Sequence, residues 1–281
     1  MRSAIQNINF QNGLEVLEAR PLSGGDINEV FLLKTSSEAY VLKLNKSDLF
    51  PGMFEKEAKG LQLLEASHSF IIPKVIETGT SGSYAYLLLE YIAPRSKHSD
   101  FWPTFGRQLA SLHGTTQDTF GLDHSNYIGS LVQHNGDHNE AGSFYISERL
   151  EPQLKLAIQR GFSFANLDLS LKHISEAIPK ESPALIHGDL WNGNYLVSSM
   201  GTPVLIDPAV AYAPREMDLA MMLLFGGFPS EVISEYNNEF RLNEDWENRV
   251  PLWQLYYLLV HLNLFGAGYL SQVQNVLRSY T

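Results

Sequence analysis

The chain has 281 residues, enough to bury a large hydrophobic core in one domain or in two lobes. Its 31 acidic and 20 basic residues give a formal net charge of −11, which argues against a nucleic-acid partner and against binding to an anionic membrane. There is no cysteine, which excludes disulfides, a thiolate nucleophile and Cys-ligated zinc. The first seven residues lack the apolar core of a signal peptide, so we expect a cytoplasmic protein.

Residues 14–45 have the pattern of three strands separated by two turns. The first turn, residues 23–28, contains paired glycines, which let backbone N–H groups approach a phosphate without a Cβ in the way. Taken alone, such a turn is typical of any hairpin. Asp26, beside the glycines, is expected to accept N–H groups of the turn instead of contacting a phosphate. The residues of this turn that we assign to nucleotide binding are Gly24, Gly25, Ile27 and Asn28.

A lysine lies within the third predicted strand, residues 40–45. Alternation places Lys43 on the face opposite Leu42 and Leu44, where a cation needs an anionic partner unless it lies on a solvated edge. Residues 52–67 have helical periodicity, and Glu57 lies on the apolar stripe of that helix. We therefore predict that Glu57 pairs with Lys43.

Residues 84–92 predict a further strand that runs into an extended connection containing Pro94. Such a connection offers backbone groups to an adenine base, and the carbonyl of Glu90 and the amide of Ile92 are the expected pair. The alternative is an ordinary strand of the hydrophobic core that does not contact a nucleotide. We place the boundary between two domains here, with a nucleotide-binding lobe at 1–90 and a catalytic and substrate-binding lobe at 91–281.

The second part of the chain is predicted to be mostly helical. Helical periodicity covers residues 103–114, 143–160, 167–178, 214–225, 229–240 and 249–265. The apolar run at 252–265 is too short for a membrane span and contains Gln254, His261 and Asn263, so we interpret it as a buried helix.

One polar loop interrupts these helices. It reads His-Gly-Asp-Leu-Trp-Asn-Gly-Asn over residues 187–194, and Leu-Ile-Asp-Pro follows at 205–208. In kinases an Asp accepts the proton of the attacking hydroxyl, an Asn five residues later holds Mg²⁺, and a second Asp beyond a short hairpin bridges the metals. Asp189, Asn194 and Asp207 have these spacings, and 195–197 with 204–206 predict the hairpin. The loop therefore predicts phosphotransfer from ATP with Mg²⁺, unless its residues only cap turns.

The order of these features predicts an α+β, protein-kinase-like fold with a small antiparallel sheet lobe and a mostly helical lobe. In that plan Lys43 would hold the nucleotide phosphates. Gly188 replaces the Arg of many protein kinases, Pro208 replaces the Phe of their Asp-Phe-Gly segment, and no long activation segment follows. A protein kinase switched by phosphorylation is therefore not expected.

The sequence resembles the aminoglycoside and choline kinase group in its His-Gly-Asp loop and, more narrowly, the fructosamine kinase (ketosamine-3-kinase) family along nearly its full length. The segments that carry the narrower resemblance are residues 22–28, 54–61, 126–130, 187–194 and 215–220. Trp191 is the most diagnostic residue. The resemblance implies ATP-dependent phosphorylation of a sugar hydroxyl, typically O3, on a small-molecule or protein-bound ketosamine. Elimination of that phosphate would release the free amine, which is deglycation.

Several side chains near the loop have two interpretations. Trp191 is assigned to substrate binding, by stacking on the sugar or the amine-bearing moiety, or else it packs within the loop. His187 is expected to hold the loop by a buried hydrogen bond. Asp218 either caps a helix or bonds the loop from below, and we favour the structural role. His134 and His138 are more typical of a loop than of a metal pair. Residues 120–130 are a predicted substrate wall.

Two other functions remain open at this stage. The first is a kinase for an aminoglycoside, a choline-like compound or another amino sugar, against which the Trp191 loop argues. The second is a nucleotide-binding pseudokinase, against which the complete set of acidic, amide and Lys positions argues. No oligomeric state is predicted.

Overall fold

A five-stranded antiparallel sheet forms the first part of the fold. The computed structural model describes residues 5, 8, 10, 11, 13–22 and 27–281. The strands lie in the order β1-β2-β3-β5-β4. Their bounds are β1 Glu18–Pro21, β2 Glu29–Lys34, β3 Ala39–Lys46, β4 Val75–Ser81 and β5 Tyr84–Glu90.

Helix α1 (Met53–Ala66) follows β3 and packs on one face of this sheet. Its apolar stripe, with Phe54 and Leu61 fully buried, meets Leu87 of β5. Lys43 pairs with Leu87 across the two strands and so lies on the helix-facing side, as the alternation predicted. The opposite face carries Leu42 and forms a separate small core.

The rest of the described chain is mostly helical. Its helices are α2 Phe101–His113, α3 Ala141–Phe144, α4 Glu151–Gln159, α5 Leu167–Ala177, α6 Glu216–Phe225, α7 Ser230–Glu239, α8 Trp246–Phe265 and α9 Leu270–Arg278. A π-helical turn, Tyr145–Leu150, joins α3 to α4, and a 3-10 turn, Ala267–Tyr269, precedes α9. Helix α8 is buried along most of its length and forms the centre of the largest core. None of the described helices has the length and apolar content needed to cross a membrane.

Three short antiparallel strand pairs accompany these helices, and two of them flank the polar loop. They are β6 Asn126–Ile128 with β7 Leu131–Gln133, β8 Ala184–Ile186 with β11 Ala211–Ala213, and β9 Tyr195–Val197 with β10 Pro203–Leu205. The loop begins directly after β8 and ends directly before β9. Because β8 pairs with β11 and β9 pairs with β10, both ends of the loop are tied to the segment that contains Asp207.

The predicted α+β class, with an antiparallel sheet ahead of a mostly helical part, is confirmed. All six helical segments predicted for the second part are present, with each end within three residues of its predicted position. The predicted helix at 143–160 is interrupted by the π-helical turn, and the hairpin after the loop is present with Tyr195 opposite Leu205. The domain boundary after residue 90 stays a prediction.

Candidate active site

Lys43 is bound by two carboxylates from different parts of the chain. Its Nζ lies 2.6 Å from Glu57 Oε1 of α1 and 2.5 Å from Asp207 Oδ1, after β10. Burial opposes the charge of Lys43, but Asp207 and then Glu57 outweigh it and raise the pKa of the lysine above its ordinary value. The predicted contact with Glu57 is present, and Lys43 is a fixed positive charge beside Asp207.

Asp189 projects from the loop after β8 and is fixed by an amide. The Nδ2 group of Asn194 donates to Asp189 Oδ2 at 3.1 Å and to the Asp189 carbonyl at 2.8 Å. Burial raises the pKa of Asp189 to about 7, the hydrogen bond from Asn194 opposes this rise, and the charges of Asp207 and Asp218 add to it. A carboxylate with a pKa near neutrality is well suited to accept a proton.

One buried carboxylate, that of Asp218, holds the backbone of the loop. Asp218 of α6 is fully buried and accepts the backbone N–H groups of His187 at 2.7 Å and Gly188 at 2.8 Å. Its Oδ2 also lies 3.2 Å from Nε2 of His113 on α2. Of the two interpretations of Asp218, the hydrogen bond to the loop is therefore the one that the structure shows. These contacts fix the backbone from which Asp189 projects.

His187 has both ring nitrogens occupied by the backbone. Its Nε2 lies 2.9 Å from the carbonyl of Ile206, to which it donates, and its Nδ1 accepts the N–H of Asp189 at 3.3 Å. Burial lowers the pKa of His187 and so favours the neutral ring. The imidazole therefore ties the loop to the strand before Asp207 and has no free nitrogen for proton transfer.

Gly188 of the loop and Asp207 both have positive φ. Gly188 adopts φ 82°, and a Cβ there would lie 2.0 Å from the carbonyl oxygen of Ala209. Asp207 adopts φ 57°, which is uncommon for a residue with a side chain. The close approach of the loop to the Asp207 segment therefore requires glycine at 188 and explains why an arginine does not fit there.

Asn194 and Asp207 are the two predicted metal ligands, and their chemistry fits Mg²⁺. The Nδ2 of Asn194 is used by Asp189, which leaves its Oδ1 as an oxygen ligand. The side chain of Asp207 is 42% exposed, so a carboxylate oxygen faces the cavity beside Lys43. Mg²⁺ commonly uses one or two protein carboxylates together with substrate phosphates. The described residues contain no cluster of three or more His, Cys, Asp or Glu that could hold a metal.

A cavity of about 700 Å³ brings most of the predicted site residues together. Lys43, Glu57, Asp189, Asn194, Asp207 and Trp191 line it, together with Ile27 and Asn28. Glu90 and Ile92 are not among its lining residues, so their contact with adenine stays a prediction. Gly24, Gly25 and Asp26 lie outside the residues that the structure describes. Of the predicted substrate wall at 120–130, only residues 126–130 line the cavity.

Trp191 both packs within the loop and faces the cavity. Its ring lies over Gly193, where a Cβ would be 2.3 Å from the ring, yet 39% of the residue is exposed. The two interpretations of Trp191 are therefore compatible, because one face of the indole packs while the remaining surface is available to a ligand.

The sequence interpretation did not assign the part of the cavity wall that helix α8 forms. Helix α8 contributes Tyr257, Val260, His261, Leu264 and Phe265 to the cavity. Their spacing of three and four residues defines one helix face, but α8 is apolar on nearly every side, so periodicity does not separate this face from the core. His134 and His138 lie in a loop, as predicted, and His138 contacts Glu148 at 2.9 Å.

Comparison with known proteins adds the family. Residues 2–281 match the model of the family described as fructosamine kinase. A "Probable ketoamine kinase" of Enterococcus faecium is 39% identical over 270 residues, covering 92% of this chain and 94% of that protein.

Solved structures agree with this match. A crystal structure described as a "Putative fructosamine-3-kinase" of Haemophilus somnus superposes with a TM-score of 0.88 at 27% identity, over 95% of this chain and 92% of that one. An aminoglycoside phosphotransferase, APH(4)-Ia, in a ternary complex with AMP-PNP and hygromycin B gives a TM-score of 0.64 at 17% identity, over 99% of this chain and 97% of that one. The second likeness shows the fold alone, and this fold is kinase-like.

Proposed function

Because the chain belongs to the fructosamine kinase family, we propose that it uses ATP to phosphorylate a sugar hydroxyl, at O3, of ketosamines such as fructosamine or ribulosamine adducts. The observation that carries the proposal is the meeting of Asp189, Lys43 and Asp207 at one cavity. The nucleotide complex of the kinase-like neighbour, with AMP-PNP and hygromycin B, supports ATP as the donor.

Asp189 is the proposed proton acceptor. It takes the proton of the acceptor hydroxyl, the oxygen forms a bond to the γ-phosphorus, and the bond from that phosphorus to the β-γ bridging oxygen breaks to release ADP. A positioned acid–base group contributes about 10²–10⁴-fold to such a rate. The raised pKa of Asp189 and its fixed orientation against Asn194 support this role.

The remaining predicted residues would bind the nucleotide and its metal. Lys43, oriented by Glu57, would contact the phosphates, and Ile27 and Asn28 together with Gly24 and Gly25 would cover them. Asn194 and Asp207 would hold Mg²⁺, which when bound neutralises negative charge that develops on the phosphates. Trp191 would stack on the acceptor. Glu90 and Ile92 are proposed to bind adenine through their backbone groups.

The product explains what the reaction accomplishes. A phosphate at C3 of a ketosamine is a good leaving group, so the phosphorylated adduct eliminates phosphate, and water then hydrolyses the bond between the sugar fragment and the nitrogen to release the free amine. We therefore propose deglycation of small-molecule or protein-bound ketosamines in the cytoplasm.

The decisive experiment measures Mg-dependent consumption of ATP with fructosamine and ribulosamine adducts, choline and an aminoglycoside as acceptors. The matched variant is Asp189→Asn, which retains the shape of the side chain and removes the proton acceptor. Turnover of a ketosamine that is lost in the variant, with the phosphate located on O3 by NMR, supports the proposal.

The other outcomes are equally informative. Turnover of the aminoglycoside or choline alone would keep the kinase and reject the ketosamine. ATP binding without turnover of any acceptor would reject catalysis in favour of a nucleotide-binding pseudokinase. Equal turnover by Asp189→Asn and the unchanged chain would remove Asp189 from the mechanism.

A further inference from the structure

Four aromatic side chains form a continuous rim at one end of the active-site cavity. They are Phe225 at the end of α6, His261 and Phe265 of α8, and Tyr269 of the 3-10 turn, and we call them the aromatic rim. The ring of His261 is central, with its centroid 4.9 Å from that of Phe225, 5.4 Å from that of Phe265 and 5.1 Å from that of Tyr269. All four line the cavity that also contains Asp189 and Trp191.

The exposure of this rim needs an explanation. Four Phe or Trp side chains of the described residues are exposed, namely Trp191, Phe225, Phe240 and Phe265. Phe240 is covered on one face by the guanidinium of Arg215, whose Cζ lies 3.9 Å from the ring centroid. The other three all line this cavity. Exposed aromatic surface concentrated at one concave site is the usual mark of a ligand contact.

The rim carries no formal charge at neutral pH. His261 Nδ1 lies 2.8 Å from the carbonyl of Tyr257 and donates to it, so Nε2 is left as a neutral acceptor. Burial lowers the pKa of His261 below its ordinary value, which favours this uncharged ring. The cations that line the cavity are Lys43 of β3 and Lys56 of α1, and Lys56 Nζ is 5.0 Å from the centroid of the Tyr127 ring, which is not a member of the aromatic rim.

We propose that the aromatic rim is the subsite for the substituent on the amine of the ketosamine, and that it selects apolar and aromatic amines over carboxylate-bearing ones. This inference rests on the proposed function, because it places the sugar at Asp189 and the amine at the aromatic rim of the same cavity. The aromatic faces attract the protonated secondary amine and pack against the carbon atoms attached to it.

The polarity of the rim supports this choice of substituent. A carboxylate placed there would lose hydration without meeting a cation, because none of the four rim side chains carries a positive charge. An aromatic substituent such as a benzyl group would instead cover Phe225 and Phe265, the two most exposed members of the rim. The enzyme would therefore distinguish two adducts of the same ketose by the substituent on their amine.

The test compares two adducts of one ketose, made with benzylamine and with glycine. For each, kcat/KM is measured with the unchanged chain, with Phe225→Ala plus Phe265→Ala, and with Leu223→Ala. Leu223 is the control because it is exposed on the same helix as Phe225 and does not line the cavity. The double rim variant replaces two exposed side chains, so it should fold. An unchanged circular dichroism spectrum and an unchanged KM for ATP would verify that it does.

We expect the unchanged chain to prefer the benzylamine adduct by about tenfold, and the double rim variant to lose most of that preference, since it lacks the two most exposed aromatic rings of the rim. In the double rim variant, kcat/KM for the glycine adduct should change by less than about twofold. Leu223→Ala should leave kcat/KM for both adducts unchanged. Equal losses for the two adducts, or no loss, would overturn the rim as a specificity subsite while the kinase stands. Failure of the unchanged chain to phosphorylate either adduct would reject the proposed function and this inference together.

Discussion

Lys43 and Asp207, which are 164 positions apart in the sequence, are joined by an ion pair with Nζ and Oδ1 2.5 Å apart. The same Nζ contacts Glu57 at 2.6 Å, so a single cation ties the sheet to helix α1 and to the segment after β10. The two contacts differ in surroundings, because the Glu57 side chain is nearly buried whereas that of Asp207 is partly open to the cavity. Glu57 therefore serves to orient Lys43, and Asp207 remains accessible to a ligand.

The first prediction concerns this cation. Lys43→Met should lower kcat/KM for ATP by about 100-fold or more, because the phosphates lose their positive partner. Glu57→Gln should lower it by about tenfold only, since Asp207 still holds the lysine and one charged hydrogen bond is worth about 1.5–3 kcal/mol. Steady-state kinetics at saturating acceptor measure both values.

Lys34→Met is the control for loss of a cation from the same sheet. Lys34 forms an exposed ion pair with Glu18 at 2.9 Å and is remote from the cavity, so its replacement should leave the ATP kinetics unchanged. An ATP dependence of Lys43→Met equal to that of the unchanged chain would remove Lys43 from nucleotide binding.

The second prediction concerns the pH dependence of stability. The pKa of Asp189 rises from 3.8 to about 7 in the folded chain. Its contribution to stability is therefore present below pH 3.8 and is lost as the pH rises through about 7, because the unfolded chain releases this proton first. Between pH 5 and pH 7 this amounts to about two units at about 1.4 kcal/mol each, so Asp189→Asn should gain about 3 kcal/mol more stability at pH 8 than at pH 5. Urea unfolding in EDTA at both pH values measures the difference.

An exposed aspartate supplies the comparison. Asp48→Asn should change the free energy of unfolding equally at pH 5 and pH 8, within error. A gain for Asp189→Asn that does not depend on pH would mean that this carboxyl ionises at its ordinary pKa. Such a result would also weaken the case for Asp189 as the proton acceptor.

The third prediction concerns the backbone at Gly188. Alanine there would place Cβ 2.0 Å from the carbonyl oxygen of Ala209, at a φ of 82° that alanine disfavours. Gly82 adopts φ 60° and has no atom within 4 Å of the position that a Cβ would take, so Gly82→Ala carries the φ cost without the clash. We expect Gly82→Ala to lose about 1 kcal/mol and Gly188→Ala to lose about 2–4 kcal/mol. Denaturant unfolding of both variants would separate the two costs, and equal losses would argue against the clash.

The sequence was sufficient for the parts of the site that depend on local pattern. The contact of Lys43 with Glu57 followed from strand alternation and from the helical stripe, since each fixes the face on which a side chain lies. The spacing of Asp189, Asn194 and Asp207 predicts a loop and a hairpin, and both are present.

The contacts that no local pattern predicted are those between distant segments. The Lys43–Asp207 pair depends on how the sheet meets the loop region, and the aromatic rim requires α6 and α8 to converge. Within α8 the face that lines the cavity is as apolar as the faces that pack in the core. The sequence pattern therefore does not distinguish the exposed face of this helix from its buried faces. The need for glycine at position 188 likewise depends on a contact between distant segments, because it comes from the short distance between a Cβ at that position and the carbonyl oxygen of Ala209.

The fourth prediction compares two adjacent tyrosines of α8. The hydroxyl of Tyr257 is buried and has no hydrogen-bond partner among the described residues, whereas that of Tyr256 donates to Gln133 Oε1 at 2.8 Å. A buried polar group without a partner costs about 1–3 kcal/mol, so Tyr257→Phe should raise the free energy of unfolding by about 1 kcal/mol. Tyr256→Phe should lower it by a similar amount, because Gln133 then loses its donor. Urea unfolding measures both changes, and a loss of stability in Tyr257→Phe would reveal a hydrogen bond of that hydroxyl, to water or to protein, that stabilises the folded chain.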